Sequence, residues 1–205
     1  MPRSSLRFCL TTGFAALILS AGLVGAQEVA EPSVTMGSPG DGLAALPSQA
    51  DAAVGEVYVA STFDDWDLRC VKAEDGSDPC RLYQLLYNAE GTPVAEISLF
   101  NLPAGQPAVA GAAILVPLDT LLSANLTFAV DDNREMFYPY SVCAVEGCIA
   151  RVGFSAEQLA QMQAGTTAKL TLVPAAAPDQ RITVNISLKG FTAAFAAVSA
   201  ANGPG

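Results

Sequence analysis

Between Val57 and Leu188 the apolar residues arrive in short runs, VYVA, WDLRCV, RLYQLLY, VAEISLF, AAILVPL, LTFAVD, CIARVGF, AKLTLV and RITVNISL, separated by Gly, Pro, Asp and Asn. Runs this short, rich in β-branched and aromatic side chains, fit strands better than helices. A succession of them at regular spacing predicts an all-β domain, and we read it as an antiparallel β-sandwich. The alternation is clearest near the C-terminus, where Ile182, Val184, Ile186 and Leu188 share one face and Thr183, Asn185 and Ser187 the other. That is the pattern of a half-buried antiparallel strand.

One segment departs from the strand pattern. Ser155 offers a hydroxyl to a helix start, Gln158 completes a capping box, and Leu159 and Met162 form an apolar face, with Gly165 suited to a left-handed exit. One short helix is predicted there. Phe191 and Phe195, four apart in GFTAAFAAV, fit either a helical turn with both rings inward or the tail of the last strand. The sandwich domain is placed at residues 57–198, long enough for one real core, with 199–205 expected to fray as a disordered tail.

Upstream, residues 1–26 have the layout of a secretory signal: Arg3 and Arg7, an apolar run from Phe8 to Val24, then Gly25 and Ala26. Gly13, Ser20 and Gly22 interrupt the run and no basic stop-transfer cluster follows, so cleavage before Gln27 is expected rather than a membrane anchor. Cys9 would leave with it. Residues 27–56 are mostly Ala, Pro, Ser, Gly and acid, without an aromatic or basic residue, and read as a disordered acidic leader. The expected location is the periplasm or cell envelope, with no integral membrane segment after cleavage.

The mature chain would carry 20 Asp+Glu against 8 Lys+Arg, a charge of −12. Nucleic acid is a poor partner for such a chain, because gripping phosphates needs clustered Lys and Arg. There is no histidine at all. That removes Ser-His-Asp and Cys-His nucleophile systems and His-ligated metal from the chain itself. No S-x-x-K arrangement or Gly-rich phosphate loop replaces them. Asp64, Asp65 and Asp67, then Asp75 and Asp78, then Asp131, Asp132 and Glu135 form acidic clusters that suggest calcium or a glycosidase pair. Asp131-x-Asn133-x-Glu135 lacks the glycine and distal glutamate of a calcium loop, and acids at loop tips are more often solvated strand ends. No catalytic, cofactor-binding or metal-ligating residue is therefore assigned.

Four cysteines remain after export, Cys70, Cys80, Cys143 and Cys148, an even number suited to an oxidising compartment. Cys70 and Cys80 flank a turn-rich loop at a spacing that does not suit zinc, Cys143 and Cys148 enclose AVEG, and neither pair is a Cys-x-x-Cys redox motif. Structural disulfides are expected, each local bridge contributing roughly 2 to 3 kcal/mol. The two local pairings are plausible and the crossed ones stay open. Trp66 is read as core packing beside a disulfide, and Tyr138 and Tyr140 as a strand edge entering the core or an exposed aromatic patch.

Taken in order, Trp66 before Cys70, CRLYQ at 80–84, AILVPLDTLLSANLTFAVDD at 113–132, YPYSVCAVEGCIARV at 138–152, the Leu159 helix and ISLKGFTAAF at 186–195 make the chain resemble the invasion-associated locus B (IalB) family of exported bacterial proteins. The resemblance implies an envelope protein named for host-cell invasion, with no established catalytic residue or cofactor. Cys70, Cys80, Cys143 and Cys148 match the family's cysteine framework. The expectation is thus a disulfide-stapled, non-enzymatic envelope protein that binds a protein or envelope partner through a sheet edge or loop face. The alternative is a histidine-free carboxylate hydrolase or carbohydrate-binding protein using the aspartate clusters.

Overall fold

Alternation along most of the apolar runs determines which side chains face inward, and among the described residues eleven strands build two sheets. The computed structural model describes residues 46–203; the signal segment, most of the leader and residues 204 and 205 lie outside that range. The strands are β1 (Val57–Phe63), β2 (Trp66–Val71), β3 (Cys80–Tyr87), β4 (Pro93–Asn101), β5 (Ala110–Val116), β6 (Leu126–Val130), β7 (Met136–Tyr138), β8 (Tyr140–Ala144), β9 (Gly147–Phe154), β10 (Thr167–Leu172) and β11 (Ile182–Ser187). A seven-stranded sheet runs β1-β2-β3-β4-β5-β9-β8 and a four-stranded sheet β11-β10-β6-β7. Every pairing within them is antiparallel. Two facing antiparallel sheets around one core make the expected sandwich.

The nine apolar runs correspond to nine of these strands. In β5 the run AAILVPL stops at Val116, before Pro117, which has no N–H to give to a ladder. Inward positions carry the core: Trp66 and Leu68, Leu82 and Leu86, Ile97 and Leu99, Ile114 and Val116, with Phe128, Leu170, Val184 and Ile186 from the smaller sheet. Ile182 is half-buried at the end of its face, and Thr183 and Asn185 are exposed, as the alternation requires.

Four strands are too few to cover seven. The missing cover comes from a helix, α2 (Phe191–Asn202), which packs on β1 to β4 and buries Phe191, Ala194 and Val198. This corrects the expectation of a single helix and settles Phe191 and Phe195 as helical. Their rings lie 6.0 Å apart, and Phe191 packs 5.3 Å from the Trp66 ring. Gly190 starts the turn into α2 at φ 81°, and a Cβ there would meet the Phe63 carbonyl oxygen at 2.2 Å. Only glycine fits that approach. The expected frayed tail is likewise corrected: the helix continues through Asn202, whose side-chain amide accepts from the Cys80 N–H and donates to the Cys80 carbonyl, at 2.8 and 2.9 Å. A carboxamide that satisfies both main-chain groups of one residue anchors the end of the helix.

The other helix, α1 (Ala156–Ala164), is the predicted one, and Ser155 and Gln158 form both halves of its capping box. Met162 is buried and Leu159 packs on the core. Gly165 does not exit left-handed; it is extended at φ −79°, and a Cβ there would stand 2.7 Å from Val130 and 2.8 Å from the Asp131 carboxylate. Close approach, not chirality, demands glycine. The leader boundary also moves, because residues before Val57 are docked. Gly55 donates to the Lys72 carbonyl, Lys72 donates to that of Glu56, and Ala52 packs on the core.

A polar stitch joins the layers at one side. Buried Gln84 of β3 donates to the carbonyls of Ser187 and Asp65 and accepts from the Ser187 N–H at 2.8 Å, while the Trp66 indole N–H reaches the same Ser187 carbonyl at 2.8 Å. We expect Gln84→Ala to cost about 1 to 3 kcal/mol, because it leaves the part-buried Ser187 N–H of β11 without its partner, while the carbonyl keeps the Trp66 indole. Chemical denaturation would read this as a lower midpoint at unchanged slope. A cost below about 0.5 kcal/mol would show that the stitch is dispensable.

Candidate functional site

The first cluster of acids lines a groove of about 530 Å³ at the stitched side of the sandwich, with Asp64, Asp65, Asp67, Tyr83, Tyr87 and Asn185 in its wall. These aspartates already have partners. Asp65 accepts from the Ser187 hydroxyl at 2.6 Å, Asp67 pairs with Arg69 at 3.0 Å, and Asp64 pairs with Lys189 at 3.0 Å. The Arg69 guanidinium also stacks on Tyr83, 3.4 Å from the ring centre. Tyr83 donates to Glu96 at 2.8 Å, and burial, followed by that carboxylate, pushes its phenol well above the usual tyrosine range. The groove is a braced polar surface.

The other acids lie apart from it and do structural work. Asp78 accepts from the Ala73 N–H and the Tyr58 hydroxyl, each at 2.8 Å. The Ala73 N–H foremost, then the Tyr58 hydroxyl, holds its carboxyl below the usual range. Asp131 takes the Thr167 N–H at 3.1 Å and the Thr166 hydroxyl at 2.9 Å and is lowered in the same way. Asp75 folds back on Ser77. Asp64, Asp78 and Asp131 all have positive φ, of 51°, 34° and 47°. Aspartate tolerates left-handed turns because its short side chain bonds to nearby backbone, which explains acids at these loop tips. Asp132 and Glu135 reach only Lys169 and Arg181.

The four cysteines form two bridges, Cys70–Cys80 and Cys143–Cys148. Each joins residues directly opposite in register, across β2–β3 and across β8–β9. The local pairings are therefore realised and the crossed ones are not. The first bridge is buried within the larger sheet, and the second ties down its last strand.

That last strand is the feature the apolar runs do not reveal. Residues 136–145, MFYPYSVCAV, carry no charge and make β7, the corner at Pro139, and β8. Among the described residues, β7 pairs only with β6 and β8 only with β9, so each closes its sheet with an open edge. Phe137, Val142 and Val145 are 62, 48 and 62% exposed. Tyr140 anchors the stretch: it packs on the core with its hydroxyl buried, and burial pushes that phenol up to about 12. Of the usual protections of a sheet edge, β8 has no charge or proline; it is five residues long with a shift of register between Tyr140 and Val142. The short, weakly alternating composition conceals the two strands; the uncharged run of ten residues is the signal that could have found them.

The lowered carboxylates set an acid limit. A carboxyl held below its unfolded value of about 4 stabilises the fold above that pH, and the contribution is lost as pH falls through the lower folded value. Melting temperature should fall as pH drops from about 5 to 2. Asp78→Asn should melt lower at neutral pH and decline less steeply on acidification. Parallel curves for the two proteins would contradict this role of Asp78.

Comparison with known proteins adds the lineage. The invasion-associated locus B (IalB) protein family model matches residues 66–199, from the start of β2 into α2. Invasion protein B homologs of Brucella abortus strain 2308 and of Brucella abortus biovar 1 strain 9-941 are each 30% identical over 147 residues, 71% of this chain and 82% of the relative. The crystal structure of invasion associated protein B from Bartonella henselae superposes with a TM-score of 0.59 at 22% identity, over 68% of this chain and 95% of that one. It has the same fold. With the cysteine-bearing strands, the helix of Leu159 and the terminal Phe191–Phe195 segment all inside the matched region, the chain belongs to the invasion-associated locus B family.

Proposed function

We propose that the protein is exported, loses residues 1–26, and works in the periplasm or cell envelope by binding another protein rather than by catalysis. One observation carries this reading: the open edge of β8, uncharged and flanked by exposed Phe137, Val142 and Val145. An extended segment of a partner can add to such an edge through main-chain hydrogen bonds, with the exposed side chains supplying selectivity. A domain of net acidic charge leaves little for a nucleic acid partner. The names of the Brucella relatives fit a contribution to host-cell invasion.

A photoreactive residue at Val142, introduced into the full-length chain in intact cells, should give a discrete crosslinked product. The same probe at Glu90, exposed in the β3–β4 turn, should not. Val145→Lys should reduce the Val142 product by about tenfold or more, since a buried lysine at an edge contact costs upward of a kilocalorie. Equal products from both positions, or none from either, would exclude the edge as the contact. N-terminal sequencing of the recovered protein should begin at Gln27.

A further inference from the structure

We propose that Cys143–Cys148 is a thiol-exchange site, a place where a small-molecule thiol such as glutathione modifies Cys143, while Cys70–Cys80 is closed to the same chemistry. The difference comes from strand order. A thiolate attacks a disulfide sulfur from the side opposite the bond being broken, so access along that line decides the rate. The Cys143–Cys148 bond crosses from β9 to β8, and β8 is the last strand of its sheet. Cys143 is exposed, as are its neighbours from Ser141 to Glu146, and Cys148 is buried. The approach to Cys143 Sγ therefore opens off the sheet edge, where no further strand pairs with β8 among the described residues.

The Cys70–Cys80 bond crosses between β2 and β3, with β1 on one flank and β4 on the other. Tyr58 of β1 lies in register with Cys70, and the Asn202 amide closes over the Cys80 peptide and reaches Asn101 at 3.0 Å. Both cysteines are buried. Cys80 borders a surface pocket formed with Pro79, Phe100 and Asn202, but Cys70 is 1% and Cys80 9% exposed, so attack there is slowed by the need for the end of α2 to move.

In the exchange, the incoming thiolate forms a bond to Cys143 Sγ and the Cys143–Cys148 bond breaks. The electron pair leaves on Cys148 Sγ, which takes a proton from water. One disulfide is consumed and one is formed. Deprotonated again, Cys148 returns the attack on Cys143 and expels the thiol, so the site is reversible. The modification leaves core residues in place and puts a bulky anionic group on the open edge. The inference stands independently of what, if anything, binds that edge.

The test uses the native, oxidised chain from Gln27 onward, which lacks Cys9, in a graded excess of reduced glutathione, with free thiols trapped by alkylation and mapped by peptide mass. Glutathione should appear on Cys143 and the alkyl group on Cys148, at least about tenfold faster than any label on Cys70 or Cys80. Circular dichroism should stay native through that phase. Labelling of all four cysteines at one rate, first labelling at Cys70 or Cys80, or no labelling until the spectrum is lost would each overturn the assignment. The Cys143→Ser, Cys148→Ser double variant supplies the folding control: it should retain the native spectrum and show no glutathione adduct under native conditions. An adduct on that variant would also overturn the assignment.

Discussion

The main chain of Ser187 is the point at which the two layers of this domain are held in register. Its carbonyl receives Trp66 and Gln84, and its N–H goes back to Gln84, so the last strand of the small sheet is bound to β2 and β3 of the large one by fully used hydrogen bonds. Buried polar groups satisfied in this way specify one arrangement among many that hydrophobic burial alone would permit. The chain then turns at Gly190 and lays α2 over the part of the large sheet that four strands leave uncovered. Trp66 serves both steps, since its ring meets Phe191 and its N–H meets Ser187.

Position in the sheet gives chemically identical groups different properties. The two disulfides have the same cross-strand register, yet one sits between covered strands and the other on the open margin. The same holds for the acids. The three acidic clusters of the sequence stay apart in space, Asp65 at the groove, Asp78 at the Tyr58 hydroxyl, and Asp131 at the turn before β10. Asp64, Asp78 and Asp131 share positive-φ backbone at tight turns rather than a common ligand. An acidic chain without histidine thus uses much of its acid to shape loops.

Legibility followed the range of the interaction involved. The nine apolar runs, the capping box at Ser155 and the Ile182–Leu188 face were readable because neighbours in sequence define them. β7 and β8 were legible only as the strand edge read at Tyr138 and Tyr140, since three and five residues with little alternation acquire strand geometry only from pairing with β6 and β9. Gln84 gave no local sign of its role, because its partners lie at Asp65 and Ser187, 19 and 103 residues away. The groove was partly visible through Asp64, Asp65 and Asp67, whereas Tyr83, Tyr87 and Asn185 join them only across strands.

The sequence by itself determined the all-β character, the short first helix, the four candidate staples and the membership that residues 66–199 carry. Each of these depends on spacing along the chain or on side-chain identity. Tertiary structure alone decided which cysteines pair, that α2 completes the second layer through Asn202, and that β8 stands at an open edge. The physical reason is that local propensity sets the pleat and the turn, while coverage, exposure and pairing are properties of neighbours brought together from distant parts of the chain.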